Sequence, residues 1–249
     1  MIALARRART VHAKLLKAYG QPTWREPLPP LDELISTVLS QNTNDLNRDR
    51  AFRALRARFP TWEDVRDAGR SDLIGTIRLA GLANQKGPRI QKILREITRE
   101  RGGLDLAFLM HVPTEEARSW LTKFNGVGPK TAAIVLLFSL NKPAFPVDTH
   151  IYRVSGRIGL RPIKMTVDQA HPHLEALFPP ETYYAAHLNL IRLGREVCHP
   201  RMPDCPRCPV RSACDFEPKT EAAAGAQVRR KSSARQPGTR SGRRSSLPA

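Results

Sequence analysis

The chain has 249 residues, and its 41 Lys or Arg against 23 Asp or Glu give it a formal net charge of +18. With 41% hydrophobic and 26% charged residues, the composition is typical of a globular protein and excludes collagen-like, disulfide-dense and wholly disordered chains. The longest apolar run, residues 131–140, is about half of the roughly 20 residues that a membrane-spanning helix needs, so we do not expect a membrane protein.

The positive charge lies mainly at the two ends of the chain. Residues 1–26 carry a net charge of +5 and residues 218–249 carry +7, which leaves +6 for residues 27–217. An excess of this size predicts a polyanionic partner. Residues 218–249 also lack apolar periodicity, so we expect a disordered basic tail, which either helps to hold polyanions or is only a solubilising or targeting extension.

The N-terminal segment contains several Arg and no acidic residue before Gly20, a pattern that is compatible with a mitochondrial transit peptide. An ordinary first helix ending at Gly20 is the better interpretation, because five apolar residues can share one of its faces. These are Ala5, Val11, Leu15, Leu16 and Ala18. No secretion signal is visible, so we expect an intracellular protein, in the cytoplasm or nucleoid of a bacterial-type cell, with reduced cysteines.

Nearly every apolar pattern along the chain has helical rather than strand spacing, which predicts an all-α fold. Helices are predicted over residues 32–41 and from Ser71, Pro88 and Thr114 onward. Asp32 is a candidate N-cap for the first of these, and Pro88 suits a first turn. Thr166 and Gln169 have the spacing of a capping box, which predicts a further helix after Thr166.

A tight turn between two apolar helices has the sequence Asn-Gly-Val-Gly at residues 125–128. Its glycines let another backbone approach closely, and the helix that starts at Pro129 presents unpaired N–H groups and the positive end of its dipole. A phosphate fits such a site, and main-chain groups bind a nucleic-acid backbone without reading its sequence. We therefore interpret the segment as a helix-hairpin-helix, with an ordinary helix corner as the alternative.

Lys130 and Asp148 are the candidate catalytic residues. Lys130 directly follows the turn, where the helix dipole disfavours a cation, and a neutral lysine amine is a nucleophile. Taken alone, Lys130 is better explained as a phosphate contact and Asp148 as a helix N-cap. Together they provide the amine and the carboxylate that attack on a sugar C1′ requires.

All four cysteines lie within 17 residues, at Cys198, Cys205, Cys208 and Cys214. Four thiolates so close together can enclose one metal centre, and a reducing compartment disfavours disulfides. Zinc ribbons commonly carry two C-x-x-C pairs and only one is present here. The spacing alone nevertheless leaves zinc and an iron-sulfur cluster equally open.

These features, in this order, resemble those of the endonuclease III family, the iron-sulfur type within the helix-hairpin-helix DNA glycosylase superfamily. The spacing C-x6-C-x2-C-x5-C is similar to that of the family's 4Fe-4S ligands, and G-V-G-P-K-T-A and V-D-T-H-I are similar to its catalytic motifs. Further similarities are L-S-Q-N-T around Gln41 and G-L-x-N-x-K from Gly81 to Lys86. The resemblance covers roughly residues 5–216.

The resemblance implies a 4Fe-4S cluster on the four cysteines and catalytic roles for Lys130 and Asp148. It also implies a six-helix barrel domain at residues 27–141 and a helical cluster domain made of residues 1–26 and 142–217, with a cleft between them. DNA contacts are expected at nine positions. These are Gln41, Leu82, Asn125, Gly126, Val127, Gly128, Thr131, His150 and Arg201.

The function that the resemblance implies is a bifunctional DNA glycosylase and AP lyase of base excision repair. Such an enzyme removes oxidised pyrimidines through a Schiff base on Lys130 and nicks the strand by β-elimination. Its partner would be double-stranded DNA with damaged bases or abasic sites, and a monomer is the default expectation. The alternatives are an adenine-mismatch glycosylase without lyase activity, which generally lacks the hairpin lysine, and a non-catalytic DNA-binding repair protein.

Three residues depart from the family pattern. Asn125 replaces a usual proline, Pro129 stands where a basic residue is common, and Ala83 replaces a frequent aromatic residue. The first two lie beside the turn that would bind the DNA backbone, and the third borders the expected site of the damaged base. The departures therefore bear on the range of substrates.

Overall fold

Residues 1–217 are described by a computed structural model and form eleven α-helices, with no β-strand among them. This confirms the predicted all-α fold. None of these helices combines the length and the apolar content that crossing a bilayer requires. The predicted basic tail at residues 218–249 lies outside the described residues.

The helices follow one another in chain order with short connections. They are α1 Ile2–Tyr19, α2 Pro30–Ser40, α3 Asp45–Arg58, α4 Trp62–Asp67, α5 Arg70–Thr76, α6 Ala83–Arg101, α7 Thr114–Thr122, α8 Pro129–Phe138, α9 Thr149–Ile158, α10 Val167–Glu175 and α11 Tyr183–Glu196. Five short 3-10 turns complete the described elements, at Arg78–Ala80, Ala107–Met110, Pro180–Thr182, Cys205–Arg207 and Arg211–Ala213.

Helices α2 to α8 enclose the first of two hydrophobic cores. Helix α2 lies at its centre, since every residue from Glu33 to Leu39 is buried, and it packs against α8 and α3. Helix α6 closes another side by packing against α4 and α5. We call this part of the molecule the hairpin lobe, because the connection between α7 and α8 is the turn at residues 125–128.

The second core lies among α1, α9, α10 and α11, together with the end of α8 and the segment 145–147. Helix α11 packs against both α9 and α1. We call this part the cysteine lobe, because the four cysteines lie at its edge. The cores meet along α8, whose Leu136 belongs to the first and whose Leu137 belongs to the second. The division into domains at residues 27 and 142 stays a prediction.

Several predicted helix starts are confirmed, one of them by hydrogen bonds at its N-cap. The Thr166 side chain accepts a hydrogen bond from Gln169 N–H, and the Gln169 side chain accepts one from Thr166 N–H, so the capping box is present. Helix α8 starts at Pro129 and α7 at Thr114, as predicted. These starts were predictable because the signals lie within four residues of each helix end.

Helix α1 ends at Gly20 with a φ of +81°, which suits a glycine and agrees with the prediction. Its buried face differs from the predicted one, since Ala8 is buried together with Val11 and Leu15, whereas Leu16 is only half-buried and Ala18 is exposed. Residues 8, 11 and 15 follow the i, i+3, i+7 stripe that faces α11.

The predicted cap at Asp32 is wrong. Helix α2 begins at Pro30, because proline fits the first helical position, where its missing N–H costs nothing. This places Asp32 inside the first turn. There its carboxylate accepts a hydrogen bond from the indole Nε1 of Trp62 at 2.9 Å and thereby joins α2 to α4.

The predicted start of α6 at Pro88 is also wrong, since the helix begins at Ala83. Proline within a helix removes one intrahelical hydrogen bond. Burial of the helical turn before Pro88 offsets this loss, since Lys86 and Gly87 are both buried there. Gly87 lies so close to α5 that a Cβ would come within 3.2 Å of Ile74 Cγ1.

Candidate active site

The hairpin between α7 and α8 is held to the hairpin lobe by its apolar residues. Phe124 and Val127 are buried in the first core, and the N–H of Val127 donates to the carbonyl of Phe124 at 3.0 Å. Asn125 and Gly128 are exposed. The turn is therefore anchored in the first core by two buried side chains, and its main chain faces solvent.

The presence of glycine has a different physical explanation at each of the two glycine positions of the hairpin. Gly126 has a φ of +88°, and a Cβ there would collide with the side chain of Arg89, so the fold itself requires glycine. Gly128 has a φ of −90°, which any residue adopts, and a Cβ there would meet no atom within 4 Å. Because residue 128 has no side chain, the surface beside it stays open, and another molecule can approach the main chain there.

The N-terminus of α8 lacks a side-chain cap, unlike α3, α4, α9 and α10. Pro129 has no N–H, so the donors at this helix end are the main-chain N–H groups next to it. Lys130 lies in this first turn with an exposed side chain, and no carboxylate among residues 1–217 forms an ion pair with it. An uncapped helix start followed by a lysine can bind an anion.

Asp148 is the N-cap of α9, which confirms this structural role. Its Oδ1 accepts a hydrogen bond from the N–H of Ile151 at 2.7 Å. The side chain is half-buried, and only one of its oxygens is used in this bond. Capping therefore fixes the orientation of the carboxylate without consuming all of its acceptor capacity.

The segment that precedes Asp148 is tied down by polar side chains of the cysteine lobe. The ring Nδ1 of His187 lies 3.0 Å from the carbonyl oxygen of Pro146, and that of His171 lies 3.2 Å from the carbonyl oxygen of Phe145. The N–H of Phe145 donates to a carboxylate oxygen of Glu175 at 2.8 Å. Glu175 also pairs with Arg118 of α7, at 2.9 Å, and so joins the two lobes.

The charges of both candidate catalytic residues affect the pKa of His187. Burial lowers the pKa of its ring to about 4, the charge of Asp148 raises that pKa, and the charges of Lys130 and His171 lower it. Lys130 and Asp148, which come from different parts of the chain, therefore both affect the pKa of one buried histidine. Within residues 1–217, no ion pair joins Lys130 to Asp148.

The four cysteines are half-buried and line one cavity of about 20 Å³. No three His, Cys, Asp or Glu side chains of residues 1–217 are grouped closely enough to hold a single metal ion. The guanidinium of Arg157 donates from Nη1 to Cys198 Sγ at 3.4 Å. Burial raises the pKa of the Cys205, Cys208 and Cys214 thiols.

Residues 35–180 match the model of the HhH-GPD superfamily of base excision DNA repair proteins. The chain belongs to this superfamily. A putative DNA glycosylase of Arabidopsis thaliana is 38% identical to it over 165 residues, which are 66% of this chain and 56% of the relative. Endonuclease III of Thermotoga maritima is 35% identical over 187 residues, 75% of this chain and 83% of the relative.

A solved structure is similar over nearly the whole described part of this HhH-GPD protein. It is a trapped covalent intermediate of endonuclease III with DNA, which aligns with a TM-score of 0.73 and 29% identity over 85% of this chain and 95% of that chain. The predicted family and the predicted enzyme class, DNA glycosylase, are confirmed by these similarities.

Gln41 and Leu82, the two residues expected to enter the DNA stack, lie at the ends of neighbouring elements. Gln41 ends α2, and its Nε2 donates to the carbonyl oxygen of Gly126 at 3.0 Å. Leu82 is 47% exposed and has a φ of +49°. A left-handed conformation in a residue with a branched side chain is strained and is frequent at functional sites.

The remaining residues expected to contact DNA differ in what they can offer. The side chains of Thr131 and Val127 are buried, so only their main-chain groups could reach a phosphate. His150 is half-buried, with Nδ1 3.2 Å from Nη2 of Arg153. Arg201 is exposed, as a phosphate contact requires. Their roles stay predictions.

The motif analysis missed the polar contacts of α6 with these elements. Lys86 is almost fully buried, and its Nζ donates to the carbonyl oxygens of Leu39 and Ala80, both at 2.7 Å. Burial and the nearby charge of Arg89 lower the pKa of Lys86 to about 8. Arg89 donates to Gln41 Oε1 at 3.0 Å. Lys86 was visible in a family-like motif, whereas nothing in the sequence indicated Arg89.

Proposed function

We propose that the protein is a bifunctional DNA glycosylase and AP lyase that removes oxidised pyrimidines from duplex DNA. The observation that carries the proposal is the uncapped start of α8, which presents the exposed Lys130 beside the hairpin, together with Asp148, which uses only one carboxylate oxygen to cap α9. A module that only binds DNA would need the hairpin but neither a nucleophilic amine nor a carboxylate. A similar protein, endonuclease III, has been trapped as a covalent intermediate with DNA.

Binding would begin with main-chain groups. The open space at Gly128 admits a phosphate to the uncapped start of α8, where N–H groups and the helix dipole favour an anion. Gln41 and Leu82 would then fill the gap left by a damaged nucleotide that rotates out of the duplex. This rotation costs a few kcal/mol and least for weakened pairs, so it favours damaged bases.

Base removal would follow from attack by the amine of Lys130. Its Nζ forms a bond to C1′ while the bond from C1′ to the base nitrogen breaks, and the base leaves with the electron pair and takes up a proton. The carboxylate of Asp148 stabilises the positive charge that develops on the sugar and accepts a proton from the amine. The bond from C1′ to the ring oxygen O4′ then breaks, O4′ takes up the proton from Asp148, and a protonated imine forms between Nζ and C1′.

Strand cleavage would follow from the same intermediate. The protonated imine acidifies the C2′ proton, and loss of that proton to a base forms a carbon–carbon double bond between C2′ and C3′ as the bond from C3′ to the phosphate oxygen breaks. The 3′ phosphate leaves with the electron pair. Water then hydrolyses the imine and restores the lysine amine.

The four cysteines would hold a 4Fe-4S cluster, because four thiols that line one cavity are the donor set of such a cluster. Arg157 would offset part of the negative charge of the thiolates through its contact with Cys198. The cluster has no step in this chemistry. Its contribution would be to fold the loop between Cys198 and Cys214, which carries the exposed residues Arg207 and Arg211 toward solvent.

Reduction with borohydride tests the proposal, because it converts an imine between protein and DNA into a stable bond. Duplex DNA with one oxidised pyrimidine should give a covalent adduct with the wild-type protein and none with Lys130→Gln. Lys123→Gln is the matched control, since Lys123 is exposed at the end of α7 and lies close to the hairpin in the chain. It should retain the adduct.

Other outcomes identify the alternatives. Removal of adenine from a mismatch without an adduct would indicate a glycosylase that lacks lyase activity. Binding of damaged duplex without any change to the DNA would indicate a non-catalytic repair protein. An adduct that persists in Lys130→Gln would show that another amine is the nucleophile.

A further inference from the structure

Arg89 contacts two DNA-facing elements that are distant in the sequence. It projects from α6, and its Nη1 donates to Gln41 Oε1 at 3.0 Å. Gln41 Nε2 in turn donates to the carbonyl oxygen of Gly126 at 3.0 Å. Both polar ends of the Gln41 side chain are therefore bonded to the protein, one by α6 and the other by the hairpin.

The hairpin is shaped to admit Arg89. A Cβ at residue 126 would collide with the aliphatic and guanidinium parts of the Arg89 side chain, so Arg89 lies directly against the turn. No carboxylate among residues 1–217 pairs with this half-buried guanidinium. An arginine used only for stability would normally find an acidic partner or extend into water.

One turn earlier in α6, Lys86 fixes the main chain that leads into Gln41. Its Nζ joins the carbonyl oxygen of Leu39, two residues before Gln41, to that of Ala80, two residues before Leu82. Lys86 thus sets the spacing of the two loops from inside, whereas Arg89 sets the side-chain orientation of Gln41 from the surface. The two residues are three positions apart and lie on one face of the helix.

We propose that Arg89 is a positioning residue that clamps Gln41 to the hairpin, so that the wedge and the phosphate-binding turn meet DNA as one rigid unit. The inference rests on the proposed function, which gives Gln41 its role as wedge. A flexible glutamine would lose its rotational freedom on entering the stack, and a glutamine already held by two bonds has lost it in advance.

A double-mutant cycle tests the clamp. The variants are Arg89→Met, Gln41→Ala and the double variant, and single-turnover excision of one oxidised pyrimidine is measured with enzyme in excess. We expect Arg89→Met to slow excision about tenfold, the effect of freeing one side chain. In the Gln41→Ala background the same change should slow excision less than about twofold, because the clamp then has nothing to hold.

Arg99→Met is the matched control. Arg99 is exposed on the same helix, about 15 Å further along its axis, so this variant removes the same charge without touching the hairpin. It should excise at the wild-type rate. Thermal unfolding of all variants should stay close to the wild type, since Arg89 belongs to neither hydrophobic core.

Binding to duplex DNA with a tetrahydrofuran abasic analogue gives a second readout, which needs no catalysis. Arg89→Met should weaken this binding in the wild-type background and leave it unchanged in the Gln41→Ala background. Independent effects of the two changes, in either assay, would mean that Arg89 contacts DNA directly and would overturn the clamp. Excision and binding at the wild-type level in Arg89→Met would also overturn the clamp. If the wild-type protein binds the analogue but excises nothing, the proposed function fails, and the binding cycle still decides the clamp.

Discussion

The two lobes hold their candidate catalytic residues in different ways. The hairpin lobe supports Lys130 by packing, because its core is mostly Leu, Ile, Val and Ala, and the turn is anchored by two buried apolar side chains. The cysteine lobe supports Asp148 with directional contacts. Phe145 stacks on Phe178 and meets Tyr183 edge to face, and two buried histidines contact the carbonyl oxygens of residues 145 and 146.

This difference reflects the different demands on the two residues. Lys130 extends from an exposed helix start, and the main chain beneath it needs only to stay in place. Asp148 must present one oxygen while the other caps α9, so its orientation depends on bonds with defined angles. We therefore expect the hairpin lobe to tolerate changes in pH and metal content that disturb the cysteine lobe.

Removal of iron should produce the largest contrast between the lobes. If the four cysteines hold a cluster, its loss should lower the free energy of unfolding of the cysteine lobe by at least about 3 kcal/mol, because metal binding is coupled to folding. Hydrogen exchange should then show faster exchange in α9 and α11 and unchanged protection in α2 and α6, which belong to the first core alone. Equal losses in both lobes would show that the two cores unfold together.

Acidification should produce the next largest difference in stability between the two lobes. The pKa of His187 is about 4 in the folded protein and near 6.5 in the unfolded chain, so the unfolded chain binds the proton first. Stability from this residue is fully present above pH 6.5 and is lost as the pH falls toward 4. The loss amounts to about 3 kcal/mol, which urea unfolding at a series of pH values measures.

The variant His187→Gln should remove this part of the pH dependence, since the amide can still donate to Pro146 but does not titrate. His111→Gln changes an exposed histidine of the hairpin lobe and is the matched control. An unchanged slope in His187→Gln would assign the acid sensitivity to another group, such as His171, whose pKa burial also lowers.

Local signals predicted much of the molecule. The caps at Asp148 and Thr166, the proline that starts α8 and the glycine that ends α1 each depend on residues within one helical turn. Helix α3 gave no comparable signal, because only Ala51 and Leu55 of its 14 residues are buried. Periodicity identifies a helix only where it has an apolar stripe.

The contacts that assemble the site could not be predicted in this way. Arg89 meets Gln41 across 48 residues and His187 meets Pro146 across 41. Such contacts depend on how helices pack, and one sequence contains no signal for a pairing at that distance. Family resemblance indicated Lys130 and Asp148 but gave no reason to consider the residues that hold them.

Substitutions at Asp148 separate its two roles. Asp148→Asn should keep the cap, since asparagine caps as well as aspartate, and leave the free energy of unfolding within about 0.5 kcal/mol of the wild type. Excision should fall about 100-fold, because the amide cannot accept a proton. Asp148→Ala should lose the same activity and about 1 kcal/mol of stability as well. Full activity in Asp148→Asn would leave capping as its only role.

The two capping boxes provide the smallest and most closely matched comparison, since each lobe has one. Thr61 caps α4 with Asp64, and Thr166 caps α10 with Gln169. Changing either threonine to alanine should cost about 1 kcal/mol in the free energy of unfolding. Only Thr166→Ala should also slow excision, by about twofold, because α10 carries His171 and Glu175, which hold the segment before Asp148. Equal slowing by Thr61→Ala would mean that the hairpin lobe depends on directional contacts as much as the cysteine lobe does.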